Sequence, residues 1–258
     1  MMNNTLIVPA TSRFSNRADN YVKYRPGYPE VCFDFLQETL QLDAGSTIVD
    51  IGSGTGLFAE PFLARGFEVT GIEPNDEMRR AAEHRLARYP GFRSLATTAE
   101  ETGLPDASAD LVTIAQTFHW LDAELTRKEC VRILKPGGKV VMAWNRQLQV
   151  SDVEKEYTSL RETYRLTPAT GRSIDIKVIN RFFDPLSPGK HTLPNPQLLN
   201  FESLKGQLLS KTYIPLPGDE EYERMIGELI RLFVRSNENG FVKIDHETVL
   251  YYGTPSSH

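Results

Sequence analysis

The chain has 258 residues and a formal net charge of −5, length enough for one domain with a substantial core, or one domain with a small cap. Its 40% hydrophobic and 24% charged content excludes a disordered or fibrous protein. No run of eighteen apolar residues spans a membrane, and no Lys- or Arg-rich block offers an extended nucleic-acid surface.

The opening "MMNNTLIVPATSRFSNRADNY" lacks a charged lead into a long apolar segment, so no secretory signal is expected. Cys32 and Cys130 lie far apart without metal-ligand spacing, and read as core thiols of a reducing, cytoplasmic compartment. No metal site is expected. No feature marks an interface, so monomer and homodimer both stand.

Residues 1–28 form an N-terminal arm with little periodicity before "YVKYRPGYP". Residues 29–145 alternate β-like runs with helical stretches. The first is a helix at Pro29–Leu40, opened by a proline, followed by a strand at Ser46–Ile51. A glycine turn leads into a helix ending near Gly66, then a strand at Phe67–Glu73 and a helix capped by Asn75 or Asp76. Met78, Ala82, Leu86 and Tyr89 give that helix an apolar face, and the arginines of "RRAAEHRLARY" its solvated one. A short strand near 92–97, a strand at Ala109–Gln116, a helix at Leu125–Leu134 stopped by "KPGG", and a strand at Lys139–Trp144 complete this part. Strands regularly separated by helices predict a parallel sheet covered on both faces. Residues 146–258 are less regular. They carry short helical patterns at Asn200–Leu209 and Asp219–Ser236 and one alternating strand at Val242–Gly253, expected to be antiparallel.

The stretch "VDIGSGTGLF" places Gly52, Gly54 and Gly56 behind a strand that ends at Asp50. Ligands of open α/β sheets collect beyond strand C-termini, and glycines there let the backbone turn sharply and meet a ligand closely. Glu73 ends the next strand, seventeen residues after Gly56, so its carboxylate should open into the same crevice and accept hydrogen bonds from ribose hydroxyls. Together these features predict a nucleoside-bearing cofactor. A dinucleotide would want G-x-G-x-x-G, but Leu57 stands where the third glycine belongs, and no Gly-Lys-Ser/Thr follows to make a P-loop.

"VDIGSGTG" followed by "GIEPNDEM" resembles the class I S-adenosylmethionine-dependent methyltransferases, more narrowly the methyltransferase type 11 subgroup. The resemblance covers roughly residues 12–145. It implies a Rossmann-like three-layer sandwich with a seven-stranded, mostly parallel sheet, an antiparallel strand near the C-terminus, and S-adenosyl-L-methionine as cofactor. By this resemblance Asp50, Gly52, Ser53, Gly54 and Gly56 wrap the methionine portion, Glu73 holds the ribose, and Pro74 and Met78 flank the adenine. In "TTAEETGLPD" Ala99 fits an adenine contact while Thr98 replaces the family's aspartate; Glu100, Gln116 and Phe118 complete the implied pocket.

Methyl transfer from a sulfonium needs alignment and exclusion of water more than covalent help. In "FHW", His119 is a candidate base or substrate clamp, but the favoured reading makes His119 and Trp120 walls of the pocket. Tyr21, Arg25 and Phe14 could close the arm over the cofactor mouth, with Arg25 on a carboxylate of substrate or cofactor. Tyr24, Tyr28, Trp144 and Asn145 are further substrate candidates. Residues 146–196 are expected to cap the acceptor site. The leading reading is a methyltransferase of a small molecule; a cofactor-binding protein without turnover and an NAD-dependent oxidoreductase are the alternatives.

Overall fold

Pro29, in extended backbone, is the N-cap of helix α1 (Glu30–Thr39), which turns Cys32, Phe33 and Leu36 inward. The computed structural model describes residues 23–166 and 175–255. Phe14 and Tyr21 therefore lie outside the described residues.

Strand β1 (Thr47–Ile51) is followed by helix α2 (Ala59–Ala64), strand β2 (Glu68–Ile72), helix α3 (Asp76–Leu86) and strand β3 (Phe92–Leu95). Helix α2 starts later than the sequence suggests because the preceding glycines hold left-handed backbone, with φ of +64°, +55° and +78° at Gly52, Gly54 and Gly56. Asn75 caps α3 by accepting the Met78 N–H at 2.9 Å. Then come β4 (Ala109–Ala115), a 3₁₀ turn (Phe118–Trp120), α4 (Ala123–Ile133) and β5 (Leu134–Gln147). After them lie α5 (Asp152–Thr163), α6 (Ile176–Phe183), β6 (Gly189–Pro194), β7 (Gln197–Leu199), α7 (Phe201–Leu209), α8 (Tyr222–Ser236), β8 (Val242–Ile244) and β9 (His246–Gly253).

The main sheet has seven strands in the order β3-β2-β1-β4-β5-β9-β6. The first five run parallel, and β9 pairs antiparallel with both β5 and β6. This is the Rossmann-like arrangement that the motifs imply. Alternate residues serve the two faces, as the pleat requires. Val49, Ile51, Val112, Ile114, Val140 and Met142 share one core with Cys130 and Ile133 of α4 and Phe182 and Phe183 of α6. Ile48, Leu111, Val141 and Ala143 share the other with Phe33 and Leu36 of α1 and Phe62 and Leu63 of α2. Both cysteines are free and buried in these layers.

A third cluster belongs to the cap. Tyr157 and Leu160 of α5, Leu204 and Leu208 of α7, Met225 and Leu229 of α8, and Val242 and Ile244 of β8 pack together. The stretch Val242–Gly253, expected as one strand, is divided here. Its first three residues pair with β7 in a separate two-stranded sheet, and the remainder enters the main sheet. Asp245 makes the break: its N–H donates to Glu154 Oε1 at 2.6 Å and its carbonyl accepts from Leu148 at 2.8 Å, so neither group continues a ladder. Among the described residues no helix is long and apolar enough to cross a membrane.

Candidate functional site

The sheet order reverses between β1 and β4, and the C-terminal ends of β1, β2 and β4 open there onto a cavity of about 430 Å³. This is the topological switch point at which open α/β sheets take their ligands. Ile72, the last residue of β2, stitches the floor together: its carbonyl accepts from Gly52 N–H at 2.8 Å and from Ser53 N–H at 3.1 Å.

The three glycines of the turn have different reasons to be glycine. A Cβ on Gly52 would lie 2.3 Å from the Thr117 methyl, and one on Gly56 would lie 2.5 Å from Leu86 of α3. Protein packing imposes those two. A Cβ on Gly54 would meet the Met78 methyl at 3.4 Å and the Gly52 carbonyl oxygen at 3.9 Å, both ordinary contacts. Gly54 is bare on the cavity side, where a ligand can approach the main chain. Gly52 and Gly54 line the cavity; Gly56 packs behind it against α3.

Glu73 follows β2 directly and is buried. Its Oε2 accepts the Gly54 N–H at 3.0 Å and its Oε1 the Asn75 N–H at 2.8 Å. These two bonds fix the carboxylate at the cavity wall and leave each oxygen further lone-pair capacity for a hydroxyl donor. Burial raises the Glu73 pKa, and the Asn75 and Gly54 amides oppose that shift. Asp50 is more enclosed. One oxygen accepts from the Thr113 hydroxyl at 2.6 Å, while the other is buried without a hydrogen-bond partner. Burial pushes its pKa up to about 7, a rise that the Thr113 bond resists and the neighbouring Glu73 charge reinforces. The Ser53 hydroxyl is likewise buried and unpartnered. Orphaned polar atoms beside a bare main-chain segment and a fixed carboxylate suit a ligand with its own donors, such as an ammonium and a sugar diol.

A family model described as a methyltransferase domain matches residues 49–142, from β1 into β5. This segment is a class I methyltransferase domain. An uncharacterized methyltransferase of Mycobacterium tuberculosis is 34% identical over 132 residues, and the chain spans about half of that relative's length (51%). An uncharacterized methyltransferase-like protein of Schizosaccharomyces pombe is 26% identical over 250 residues, 92% of this chain and 93% of that one. A solved structure from Anaeromyxobacter dehalogenans, assigned as a type II methyltransferase, superposes with a TM-score of 0.67 at 20% identity. It covers 90% of this chain and 98% of that one.

Around the methyltransferase motif, Asp50, Gly52, Ser53, Gly54, Glu73, Pro74 and Met78 line the one cavity, as do Thr98, Ala99, Glu100 and Gln116. Arg25, Tyr28, Trp120 and Asn145 also reach it. Other sequence candidates lie outside it. Phe118 is buried edge-on against Trp144 and Phe182, and Trp144 packs on Tyr251, so both aromatic side chains belong to the core. The Tyr24 ring packs where α7 is bare at Gly206. His119 is not part of the cavity wall; it sits beside Trp120 at a ring distance of 4.7 Å, and burial lowers its pKa. Asn145 lines the cavity, but its amide is engaged as a fastener. It donates to the Pro26 and Gly27 carbonyls, both at 3.0 Å, and accepts from Thr248 at 2.6 Å and Asn195 at 3.1 Å.

Several lining residues escape a sequence reading. Thr117 holds the glycine turn by donating to the Gly52 carbonyl at 3.2 Å. Gln147, Arg161, Lys211 and His246 enter from the end of β5, from α5, from the segment after α7 and from β9. The "SDVE" capping box at Ser151 and Glu154 announces α5, but no local signal tells which α5 side chain turns to the cavity.

Proposed function

We propose that the protein is an S-adenosylmethionine-dependent methyltransferase of a small-molecule acceptor. The observation that carries this reading is Glu73, held by the Gly54 and Asn75 amides at the wall of the switch-point cavity. A carboxylate so placed is a receiver for two vicinal hydroxyls, and the bare Gly54 main chain beside it leaves room for the amino-acid tail. When bound, the cofactor supplies a methyl group already activated by its sulfonium. The protein's task is then to hold both reactants in line and keep water out. Tyr28, Phe58 and Trp120 give the cavity apolar wall, and the Pro26–Gly27 strap, fastened by Asn145 and Asn195, closes one side of it.

The supporting features favour an enclosed small acceptor over a polymer, and a cytoplasmic protein acting as monomer or homodimer accords with the composition. Calorimetric titration with S-adenosylhomocysteine, alongside NAD, tests the cofactor. Binding of the first and not of the second is expected, and the reverse would overturn the reading. Release of S-adenosylhomocysteine from S-adenosylmethionine with a panel of carboxylates, phenols and amines then separates an active enzyme from a protein that only binds.

A further inference from the structure

The charged groups lining the cavity are sorted by sign. Of its acidic residues, Asp50 lies in β1, Glu73 follows β2 and Glu100 follows the 96–99 loop. Its cations come from elsewhere: Arg25 from the strap, Arg161 from α5 and Lys211 from the turn after α7, with His246 at the start of β9 beside them.

These cations are close enough to act on one another. Arg25 and Arg161 both oppose the charge on Lys211, which burial already disfavours, so its pKa falls well below the usual lysine range. Arg161 lies over the Tyr157 ring at 5.2 Å and donates to Thr158 Oγ1 at 3.0 Å. Its Nε is buried without a hydrogen-bond partner among the described residues. No carboxylate of the described residues lies within 4.0 Å of that guanidinium. Glu154, whose charge acts on His246, is tied to the backbone N–H groups of Val150, Ser151 and Asp245. His246 donates or accepts at Ile244 O, 3.2 Å from its Nδ1, and is held neutral by burial, with a pKa of about 4. A buried guanidinium Nε without a partner, on the same cavity end as two further cationic side chains, has the geometry of an anion receiver.

We propose that Arg161 and Lys211, with Arg25, form an oxyanion site at the cap end of the cavity, and that the methyl acceptor carries the carboxylate or phosphate it receives. The proposal rests on the methyltransferase reading for the word acceptor, and on the cavity alone for the anion. The opposite signs at the two ends orient the reactants: a ligand with an ammonium and a diol belongs at the acidic end, an anionic partner at the basic one. A guanidinium with an unpartnered Nε and a lysine whose charged form an anion would favour are together suited to either oxyanion.

Calorimetry on the full chain tests this with succinate, inorganic phosphate and uncharged succinamide, using wild type, Arg161→Gln and Lys211→Met. Each protein is also titrated with S-adenosylhomocysteine and its melting temperature is recorded. The expected result is that wild type binds succinate or phosphate in preference to succinamide. Each variant should weaken that binding at least tenfold, while S-adenosylhomocysteine affinity stays within about twofold. Arg161→Lys should restore part of the loss. A parallel fall in S-adenosylhomocysteine affinity in folded variants would assign the cluster to the cofactor's own carboxylate and overturn the proposal. So would equal binding of succinamide, or anion binding that the variants leave intact. If wild type binds anions as expected but not S-adenosylhomocysteine, the anion site stands and the methyltransferase reading falls. Which anion wins distinguishes a carboxylate from a phosphate acceptor.

Discussion

At the β1–β2 end of the cavity the wall is largely main chain and nearby carboxylates, drawn from residues 50–58 and 72–78; at the cap end it is side chains from Arg25, Gln147, Arg161, Lys211 and His246. The first group lies within one β-α-β unit, and its parts are set by backbone conformation: three left-handed glycines, two amides on Glu73 and one carbonyl at Ile72. The second group is gathered from across the chain by the packing of α5, α7 and α8 into their own cluster. The methyltransferase-domain model stops at residue 142, before these helices begin. The difference teaches that one end of the cavity is set by backbone geometry within a single unit, while the other depends on side chains brought together from distant elements.

Substituting the glycine turn should break the first region most sharply. Gly54→Val places a β-branched residue at φ +55° and its bulk against the ligand. S-adenosylhomocysteine affinity should fall by a hundredfold or more, about 3 kcal/mol, with the fold retained. Gly52→Ala, in contrast, drives a methyl into Thr117 and should lower stability by about 2–4 kcal/mol. Denaturant melts and calorimetry on both proteins separate the two roles, and equal binding losses without any stability difference would erase the distinction.

Asp50 sharpens the same region through pH. Its folded pKa of about 7 exceeds the ordinary carboxylate value, so the folded state binds its proton more tightly than the unfolded one. The associated stability is complete below about pH 4 and is lost as the pH rises toward and through 7, by about 4 kcal/mol. Asp50→Asn should flatten that part of the stability–pH curve; superimposable curves for the two proteins would refute it.

Replacing Glu73 by alanine should weaken S-adenosylhomocysteine by about 1–3 kcal/mol through lost charged hydrogen bonds. Because Glu73 also holds Gly54 and Asn75, some of this loss should appear as lower stability. Unchanged affinity would remove Glu73 from the site. In the cap region, the tenfold loss of anion binding in Arg161→Gln should leave the cofactor term untouched. Asn145→Ala should have the smallest effect on binding. It frees the Pro26 carbonyl and leaves Gly27 held by Asn195 alone, costing about 1–2 kcal/mol of stability, read in the same melts.

Asp50, the glycine spacing, Glu73 and the alternation of strands with helices were legible in the residues because each is a short-range fact. The period of a strand, a glycine's freedom at positive φ and a carboxylate at a strand end all act within a few residues. By the same logic the core sheet could be read, and α5 carried a capping box that marks its start. What local pattern misjudged were residues whose side chain could turn either way at the same sheet edge. Phe118 and Trp144 turned into the core and His119 stayed outside the cavity wall, while Asn145 reached the wall but is also a fastener.

The sequence by itself determined the doubly wound sheet and the acidic, glycine-built end of its crevice, since backbone conformation and strand periodicity are written in neighbouring residues. Only the tertiary structure decided the basic end. Arg25 and Lys211 are 186 positions apart and meet because α5, α7 and α8 bury a common apolar face. The non-directional burial that makes this meeting leaves no mark at the charged residues themselves.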